Sequence, residues 1–541
     1  MKKKNIFKSW FLKEVTKPFF FKSLFYNYII EKNLSPRLSN LINDPWNGDS
    51  SNGMKILKGF VTFQGETINF KNSIWNKSLG SSLLRNRLHS FEWVRDLKAL
   101  GTNDARIFLR KSLNEWIRIF GNWSEDEWRG DIVGKRICSL LGNLSFYCVS
   151  AESQFQSKIL RNIIKQGNHL ITSRLNNVNG FNRIFAIKGI ILVSICFKVL
   201  EKNIFLGLKL LNEEINNQVL PDGCHFSKAP SKHFEFLKNL IDIRHYLAEA
   251  KIKIPNEINE LIFRMSPVVK FFRSGDGSLA TFNNSHFIEN DEINKVLIRS
   301  NSKLPVPNTL INSGFQKISE RKINFIMDCG NPTKEKTCAS SLSFEFAYGK
   351  NQIVVNCGSP YINNKKLTEA TRSTSAHSTI SIDNINSSDI VFKKNQRIAK
   401  VWSKKKIKKN CFWIESAHSG YSKNFGIIHS RKIHVDTQKK ILRGQDTLFK
   451  SKKDYAFIPK KYFLRFHLHP SIELNLTGSK RKAILRLKDG TGFEFICSES
   501  KLEVNESIYL NQSQKFLKTS YILVKDQVIP EKKIKWLFKL V

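Results

Sequence analysis

The chain has 541 residues, enough for two domains, and its 41% hydrophobic and 25% charged residues are ordinary for a soluble folded protein. Lys and Arg total 88 against 46 Asp and Glu, a formal net charge of +42, which attracts acidic polysaccharide, nucleic acid or anionic lipid. Compositional drift is the alternative explanation, because lysines are scattered through every segment. Nine cysteines without a Cys-x-x-Cys pair argue against a disulfide framework and a four-cysteine zinc site.

Residues 1–40 form a basic N-terminal segment, which we separate from the two predicted domains. Lysines interrupt its apolar residues every four or five positions, so the sequence does not support a cleavable signal peptide. The longest apolar run of the chain, Gly189 to Phe197, is bracketed by lysines and is too short to span a bilayer. We therefore predict a buried helix there and no transmembrane segment.

From residue 41 to about residue 300, apolar residues recur at spacings of three and four, the pattern of helices that bury one face. The first such stripe consists of Phe91, Val94, Leu97 and Leu100. Further helices are predicted at Asp104–Phe120, Phe155–Leu175, Arg183–Leu200, His233–Ala250 and Glu257–Phe272. Helical hairpins with little strand signal indicate helices packed in a ring or stack, so residues 41–300 are assigned to one helical domain.

After residue 300 the apolar period changes towards two, which is typical of strands with one buried face. Strands are predicted at Ser341–Phe346, Gln352–Val355, Ser378–Ile382, Phe463–His469 and Ala483–Leu487, with another inside Phe425–Val435. Many short strands with turn residues between them indicate a large antiparallel β domain, to which residues 301–541 are assigned.

Eight stretches, in this order along the chain, resemble sequence words of the heparinase II/III-like family of polysaccharide lyases. In the helical half they are Trp46–Glu66, Leu88–Leu100, Leu220–His233 (LPDGCHFSKAPSKH) and Phe271–Ser285. In the β half they are Ser341–Gly349, Thr371–Asp383, Leu442–Leu448 and Arg465–Pro470. The resemblance predicts the family's fold, an incomplete α/α toroid followed by an antiparallel β-sandwich, which agrees with the change of period.

The resemblance implies a polysaccharide lyase, a carbon–oxygen lyase that cleaves an acidic, uronate-containing polysaccharide by elimination. Such lyases neutralise the carboxylate of a 4-linked uronate, remove its C5 proton and protonate the leaving oxygen. In the family the site lies in a cleft between the toroid and the β domain. The alternative is a non-catalytic glycan-binding protein of the cell envelope on the same scaffold. The particular polysaccharide and the endo or exo mode stay open.

In the first half of the chain, the resemblance aligns the family's Asn-His helix start with Asn179–Arg183. The histidine is absent. Asn182 stays a catalytic candidate and Arg183 a substrate-binding candidate, because both side chains are able to bind a carboxylate.

The Leu220–His233 loop usually ends Pro-x-Tyr-His in the family, where the tyrosine is an acid or base. Here Lys232 replaces the tyrosine and becomes a substrate-binding candidate, while His233 remains a catalytic candidate. His225 is a second catalytic candidate. The alternative for both imidazoles is a structural one, in which each caps a helix or bonds a carbonyl.

In the β half, the family's His-x-His-x-Asp pattern is replaced by Lys336–Ser340, which contains Cys338. The aspartate of the family's next Asp-x-Gly turn is Asn356, and its last metal position is His377. We therefore take His377 and Cys338 as candidate metal ligands and zinc as the possible cofactor, although an amide oxygen is a poor substitute for carboxylate. A satisfied buried histidine is the alternative for His377.

Two further residues of the β half are candidates. Arg372 lies near His377 in sequence and is a possible partner for a substrate carboxylate. Tyr421 is a possible proton donor, with packing of its ring as the alternative.

The partner predicted from the resemblance is an acidic polysaccharide. Binding of nucleic acid is a third hypothesis that rests on charge alone, because no recognition helix, RNA-binding word or zinc finger supports it. The family usually works in the periplasm or cell envelope, while the N-terminus without a clear signal keeps a cytoplasmic location open. The sequence makes no prediction of the oligomeric state.

Overall fold

The structure, a computed structural model, describes residues 24–541 apart from 33, 64, 71–72, 76–79, 174, 176–177, 335–336, 361–364, 393, 452–459, 498–499 and 511–515. The chain divides into two compact units. The first comprises residues up to 217 together with 238–259, and the second comprises 218–237 together with 260–541. The boundaries at residues 40/41 and 300/301, which follow changes of sequence pattern, stay predictions.

Helices dominate the chain as far as residue 300. They are α1 (Leu24–Glu31), α2 (Ser50–Leu57), α3 (Ser82–His89), α4 (Val94–Leu100), α5 (Asn103–Phe120), α6 (Gly130–Gly142), α7 (Leu144–Tyr147), α8 (Ser153–Ser173), α9 (Arg183–Cys196), α10 (Ile204–Gln218), α11 (Pro230–Glu249), α12 (Asn256–Phe272) and α13 (Asn290–Ser300). A hairpin of β1 (Phe60–Phe63) and β2 (Glu66–Asn69) lies among them, and 3₁₀ turns cover Gly180–Asn182 and Lys198–Asn203.

The predicted helices are present, with shifts at their ends. Helix α5 begins one residue early because the hydroxyl of Thr102 accepts a hydrogen bond from the Ala105 N–H, an N-cap that satisfies a free donor. The prediction for Arg183–Leu200 is wrong at its end, because α9 stops at Cys196. Phe197 has extended backbone and forms an isolated β-bridge with Leu38, which ends the helix.

The apolar run Gly189–Phe197 lies mostly in α9, which is buried over nearly its whole length. A close glycine contact joins α9 to α6. A Cβ on Gly189 would lie 2.6 Å from the Cα of Gly134, and a Cβ on Gly134 would lie 2.2 Å from the Phe185 carbonyl oxygen. Only glycine allows this approach. None of the helices in the described part of the chain is long and apolar enough to cross a membrane.

From residue 309 onward the chain is mainly antiparallel sheet. Its strands are β3 (Thr309–Leu310), β4 (Phe315–Glu320), β5 (Ile323–Asp328), β6 (Phe344–Tyr348), β7 (Asn351–Val354), β8 (Ile380–Ile382), β9 (Val401–Lys408), β10 (Cys411–Tyr421), β11 (Ile427–Asp436), β12 (Ile441–Lys450), β13 (Lys461–His467), β14 (Glu473–Leu476), β15 (Lys482–Arg486), β16 (Gly492–Cys497), β17 (Leu502–Leu510), β18 (Phe516–Gln527) and β19 (Lys533–Leu540). Short helices α14 (Lys365–Arg372) and α15 (Ser422–Phe425) and a 3₁₀ turn at Thr374–Ala376 lie between them.

Three sheets share the core of the second unit. Their strand orders are β3-β4-β5-β6-β7, β14-β15-β16-β19-β12-β11-β10-β9 and β17-β18-β13-β8. Phe344 of the first sheet stacks on Trp536 of the second, with ring centroids 5.5 Å apart and planes at 8°. Phe466 of the third sheet meets the same indole edge-on at 4.9 Å. The buried faces of all three sheets therefore form one apolar core.

The change of period near residue 300 is confirmed, because α13 ends at Ser300 and β3 starts at Thr309. Each predicted strand overlaps an observed one. The strand predicted from Ser341 begins at Phe344, because Leu342 has a φ of +63° and interrupts the extended backbone.

Candidate functional site

The Leu220–His233 loop lies in the second unit and is held at its tip by Asp222. One carboxylate oxygen accepts from the Cys224 N–H, and the other accepts from the N–H and hydroxyl of Ser313 at 2.7 and 3.0 Å. Gly223 has a φ of +82°, which favours glycine. The loop is therefore a fixed turn that delivers the chain to Pro230, the first residue of α11.

The two imidazoles of this loop bond their own surroundings. His233 accepts from the His225 N–H at Nδ1, so its Nε2–H donates to the Met265 carbonyl at 3.0 Å. His225 donates from Nε2 to the side-chain oxygen of Gln218 and accepts at Nδ1 from Ser227. Burial lowers the pKa of both, that of His233 to about 4. Their arrangement is that of neutral structural histidines, and a catalytic role for either stays a prediction.

Beside the loop lies a carboxylate that the sequence analysis missed. Asp328 ends β5, is only 5% exposed, and accepts from the Gly330 N–H at 3.1 Å and the Ser340 hydroxyl at 3.3 Å. Burial raises its pKa to about 6, against the opposing charge of Lys228. Lys228 is itself buried and donates to the Asn331 carbonyl at 2.8 Å. A carboxyl with such a pKa exchanges protons near neutrality.

The Cys338 thiol is influenced by Asp328 and by two residues predicted from the sequence, Arg372 and Lys232. The thiol is buried, which raises its pKa, while Arg372 and Lys232 favour the thiolate and Asp328 opposes it. The Cys338 thiol is therefore influenced by two cationic side chains and one carboxyl group. We call Lys228, Lys232, Asp328, Cys338 and Arg372 the Asp328 cluster; it holds three cationic side chains and one carboxyl group.

Arg372 also has a structural task. Its Nε donates to the Thr337 carbonyl at 2.9 Å and a terminal nitrogen donates to the Ile390 carbonyl. The guanidinium is thus partly occupied, and its role towards a substrate stays a prediction.

Tyr421 is fully buried and donates to the Ile380 carbonyl at 2.7 Å, with a pKa raised by burial. We do not include Tyr421 in the proposed site, because its hydroxyl lies inside the core.

His377 belongs to a buried chain of hydrogen bonds. Its Nδ1–H donates to the amide oxygen of Asn356 at 2.9 Å, and the amide nitrogen of Asn356 donates to Glu345 at 2.9 Å. Its Nε2 makes no hydrogen bond of ordinary geometry with the described residues. Burial lowers the pKa of His377 to about 4, against the opposing influence of the Thr371 carbonyl.

These residues do not fit a zinc ion. Asn356 presents an amide where zinc prefers carboxylate, imidazole or thiolate. The described residues contain no group of three or more His, Cys, Asp or Glu side chains able to hold a metal. The assignment of His377 and Cys338 as metal ligands therefore finds no third partner in the described part of the chain.

Asn182 and Arg183 belong to the first unit, whereas the residues of the Asp328 cluster belong to the second. Asn182 is exposed at the end of a 3₁₀ turn and makes no capping bond to α9. Arg183, the first residue of α9, donates from Nε to the Glu214 carboxylate, so its charge is paired. The catalytic assignment of Asn182 and the substrate-binding assignment of Arg183 both stay predictions.

A signal for the missed residue is present in the sequence. Asp328-Cys329-Gly330 repeats the pattern of Asn356-Cys357-Gly358, in which a polar residue at or near the end of a buried strand is followed by a cysteine and a glycine. Lys228 lies inside the loop that was already singled out. Neither pattern indicates that the two side chains meet, because one hundred residues separate them.

Two family models match adjoining parts of the chain. The model described as heparinase II/III N-terminus matches residues 75–308, and the model described as heparinase II/III-like, C-terminal, matches residues 304–537. A curated relative, FtsZ-localized protein C of Caulobacter vibrioides (strain NA1000 / CB15N), is 26% identical over 518 residues, covering 91% of this chain and 88% of the relative.

Solved structures show the same fold. A crystal structure of heparinase III superposes with a TM-score of 0.73 at 13% identity, covering 94% of this chain and 86% of that one. The heparan sulfate lyase HepC of Pedobacter heparinus gives a TM-score of 0.62 at 16% identity, covering 95% and 87%. The predicted fold class, an α/α toroid followed by antiparallel β-sheets, is confirmed.

Proposed function

The chain belongs to the heparinase II/III-like family, and from that premise we propose that it binds an acidic, uronate-containing polysaccharide. The observation that carries the proposal is the Asp328 cluster, in which Lys228 acts on the Asp328 carboxyl group and Lys232 and Arg372 act on the neighbouring Cys338 thiol. Lysine and arginine side chains are the natural partners of a uronate carboxylate. The excess of Lys and Arg over the whole chain adds a long-range attraction for the same ligand.

The binding proposal is tested with purified protein and a panel of alginate, pectate and heparan-type oligosaccharides in titration calorimetry. We expect Lys232→Ala to weaken binding at least about tenfold, since a hydrogen bond to a charged group contributes roughly 1.5–3 kcal/mol. Lys209→Ala, an exposed lysine on α10, is the matched control and should bind as the wild type does. Absence of binding to every member of the panel at moderate ionic strength would contradict the proposal.

Eliminative cleavage is the second candidate, and Asp328 is the observation that favours it. A carboxyl with a pKa of about 6 is able to accept the C5 proton of a uronate. The electrons of the C5–H bond then form the C4–C5 double bond, the C4–O bond breaks, and the leaving oxygen takes a proton from water. Ultraviolet absorbance of the unsaturated product measures this reaction.

If Asp328 is the base, the rate should rise with pH through about 6, because only the ionised carboxyl accepts a proton. Asp328→Asn should then abolish product formation while leaving oligosaccharide binding measurable. If the wild-type protein binds oligosaccharide but forms no product, the proposed binding function stands and the proposed lyase activity is rejected.

We further propose that the protein works at the cell envelope. The support is the relative from Caulobacter vibrioides, whose name records that it is FtsZ-localized. A fluorescent fusion expressed together with labelled FtsZ tests this location. A fusion spread evenly through the cell, with no enrichment where FtsZ gathers, would contradict it.

A further inference from the structure

The sheet ordered β14-β15-β16-β19-β12-β11-β10-β9 has one buried face and one solvent face. Residues alternate between them, and the inward positions are fully or nearly fully buried, as for Ile414, Ile433, Leu442 and Phe538. The outward positions of β9, β10, β11, β12 and β19 are mostly exposed or half-buried. We call this solvent side the outer face.

The outer face is strongly basic. Its exposed cationic residues in those five strands are Lys404, Lys406, Lys408, Lys432, Arg443, Lys533, Lys535 and Lys539. In those five strands two acidic residues, Glu415 and Asp436, share this side, and Glu494 of the neighbouring β16 lies opposite Lys539. Glu415 already pairs with Lys404 at 2.9 Å and with Lys432 at 3.3 Å. Most of the positive charge is therefore not balanced within the sheet.

One row of this face combines cations with flat rings. Lys406, Trp413, His434 and Arg443 are direct cross-strand partners on β9, β10, β11 and β12. The rings of Trp413 and His434 lie side by side, with centroids 5.0 Å apart and planes at 40°. Neighbouring strands are about 4.8 Å apart, so the row is a continuous strip that begins and ends with a positive charge. We call these four residues the basic strip.

We propose that the basic strip and its flanking lysines bind an acidic polysaccharide that lies across the strands, at a surface distinct from the Asp328 cluster. The inference rests on the proposed function for the class of ligand. The strand spacing is close to the length of one sugar ring, so successive uronates meet successive side chains of the strip. Lys406 and Arg443 pair with carboxylates, while Trp413 and His434 offer flat surfaces to the sugar C–H groups.

The charge and shape of the outer face favour a single extended polyanion over duplex DNA as its ligand. A flat sheet face touches few phosphates of a curved duplex, and these strands bring no helix to enter a groove. The polysaccharide, in contrast, is a linear chain whose charges follow one line. Single-stranded RNA and anionic vesicles are the remaining ligands, and the experiment below separates them.

The test measures alginate oligosaccharide binding to the whole protein by calorimetry. The outer-face variant is Lys406→Glu, Arg443→Glu and Lys535→Glu. The control variant is Lys111→Glu, Lys202→Glu and Lys209→Glu, three exposed helix or turn lysines that give the same change of net charge. We expect the outer-face variant to lose at least about tenfold in affinity and the control variant less than about threefold.

Two less disruptive variants keep the test informative if the charge-reversal variant does not fold. Trp413→Ala should weaken binding without changing charge, and Lys406→Gln with Arg443→Gln should weaken it without reversing charge. Circular dichroism checks that each variant is folded. Normal affinity in all of these variants would overturn the inference.

The other outcomes are equally decisive. Equal losses in the outer-face and control variants would show attraction by net charge alone and overturn the inference. Equal affinity for single-stranded RNA or phosphatidylglycerol vesicles, lost in the same variants, would overturn the assignment to polysaccharide. If the outer-face variant binds normally while Lys232→Ala is weakened, this inference fails and the proposed function stands. If wild-type protein binds no polysaccharide, the proposed function itself fails.

Discussion

Asp446 neutralises a buried cationic group in the core of the second unit. It is fully buried and accepts from His429 Nε2 at 2.7 Å, Arg431 Nε at 2.7 Å and Trp536 Nε1 at 2.8 Å. Burial alone would raise its pKa, but Arg431 and His429 hold the pKa well below its usual range. Removal of this charge leaves the Arg431 guanidinium buried without a counter-ion.

We expect Asp446→Asn to lower the free energy of unfolding by about 3–5 kcal/mol, the usual cost of breaking a buried ion pair. Urea unfolding followed by tryptophan fluorescence measures the change. Glu473→Gln, at an exposed position on β14, is the control and should stay within about 0.5 kcal/mol. Similar stabilities for the two variants would show that Arg431 is neutralised in another way.

Buried histidines make stability depend on pH. The pKa values of His233 and His377 are lowered from 6.5 to about 4, so only the unfolded chain protonates them between those values. Stability therefore falls as the pH is lowered from 6.5 to 4. Each histidine contributes up to about 1.4 kcal/mol per pH unit in that window.

His377→Gln should flatten this slope by up to about 1.4 kcal/mol per pH unit. The measurement is a series of urea unfolding curves from pH 7 to pH 4 for both proteins. Asp328 has a raised pKa, so its contribution to stability increases as the pH falls through part of this range. Both proteins contain Asp328, so this contribution cancels when their slopes are compared. Parallel slopes would mean that His377 binds its proton equally in the folded and unfolded states.

At the scale of elements, the packing of α6 on α9 depends on Gly134. Its Cβ position is 2.2 Å from the Phe185 carbonyl oxygen, a backbone atom that cannot rotate away. We expect Gly134→Ala to destabilise the protein by more than about 1 kcal/mol, as other overpacking substitutions do. Gly478→Ala, with no atom within 4 Å of its Cβ position, is the control for the same chemical change. Thermal unfolding compares the two, and equal melting temperatures would contradict the close contact.

The elements also show which sequence predictions hold. Helix α5 was predictable because its apolar residues repeat at the helical period. Strand β11 was predictable only as part of a longer segment, because two of its buried positions carry His429 and Arg431 rather than apolar residues. The end of α9 was not predictable, because the helix ends where Phe197 pairs with Leu38, and Leu38 lies 159 positions earlier in the sequence. The Leu220–His233 loop was found from its turn residues, but the sequence did not reveal that its imidazoles bond Gln218 and Met265.

At the scale of the whole molecule, a net charge of +42 means that the folded chain repels itself. Added salt screens this repulsion, with a Debye length of about 10 Å at 0.1 M and about 3 Å at 1 M. We therefore expect the melting temperature to rise when sodium chloride is increased from about 0.05 M to about 0.5 M. Potassium chloride should give the same shift, which separates ionic strength from ion identity. A melting temperature that falls with both salts would show that attractive ion pairs outweigh the repulsion.

The sequence by itself determined the order of the architecture: helices to residue 300, then antiparallel strands, with a buried apolar helix at α9. It did so because helices and strands impose their own periods on neighbouring residues. The tertiary structure alone decided which side chains meet. Asp328 lies beside Lys228 and Cys338, and the basic strip exists only in the observed register of β9 to β12. Charges, hydrogen-bond partners and pKa values depend on groups brought from distant segments, which no local pattern of residues records.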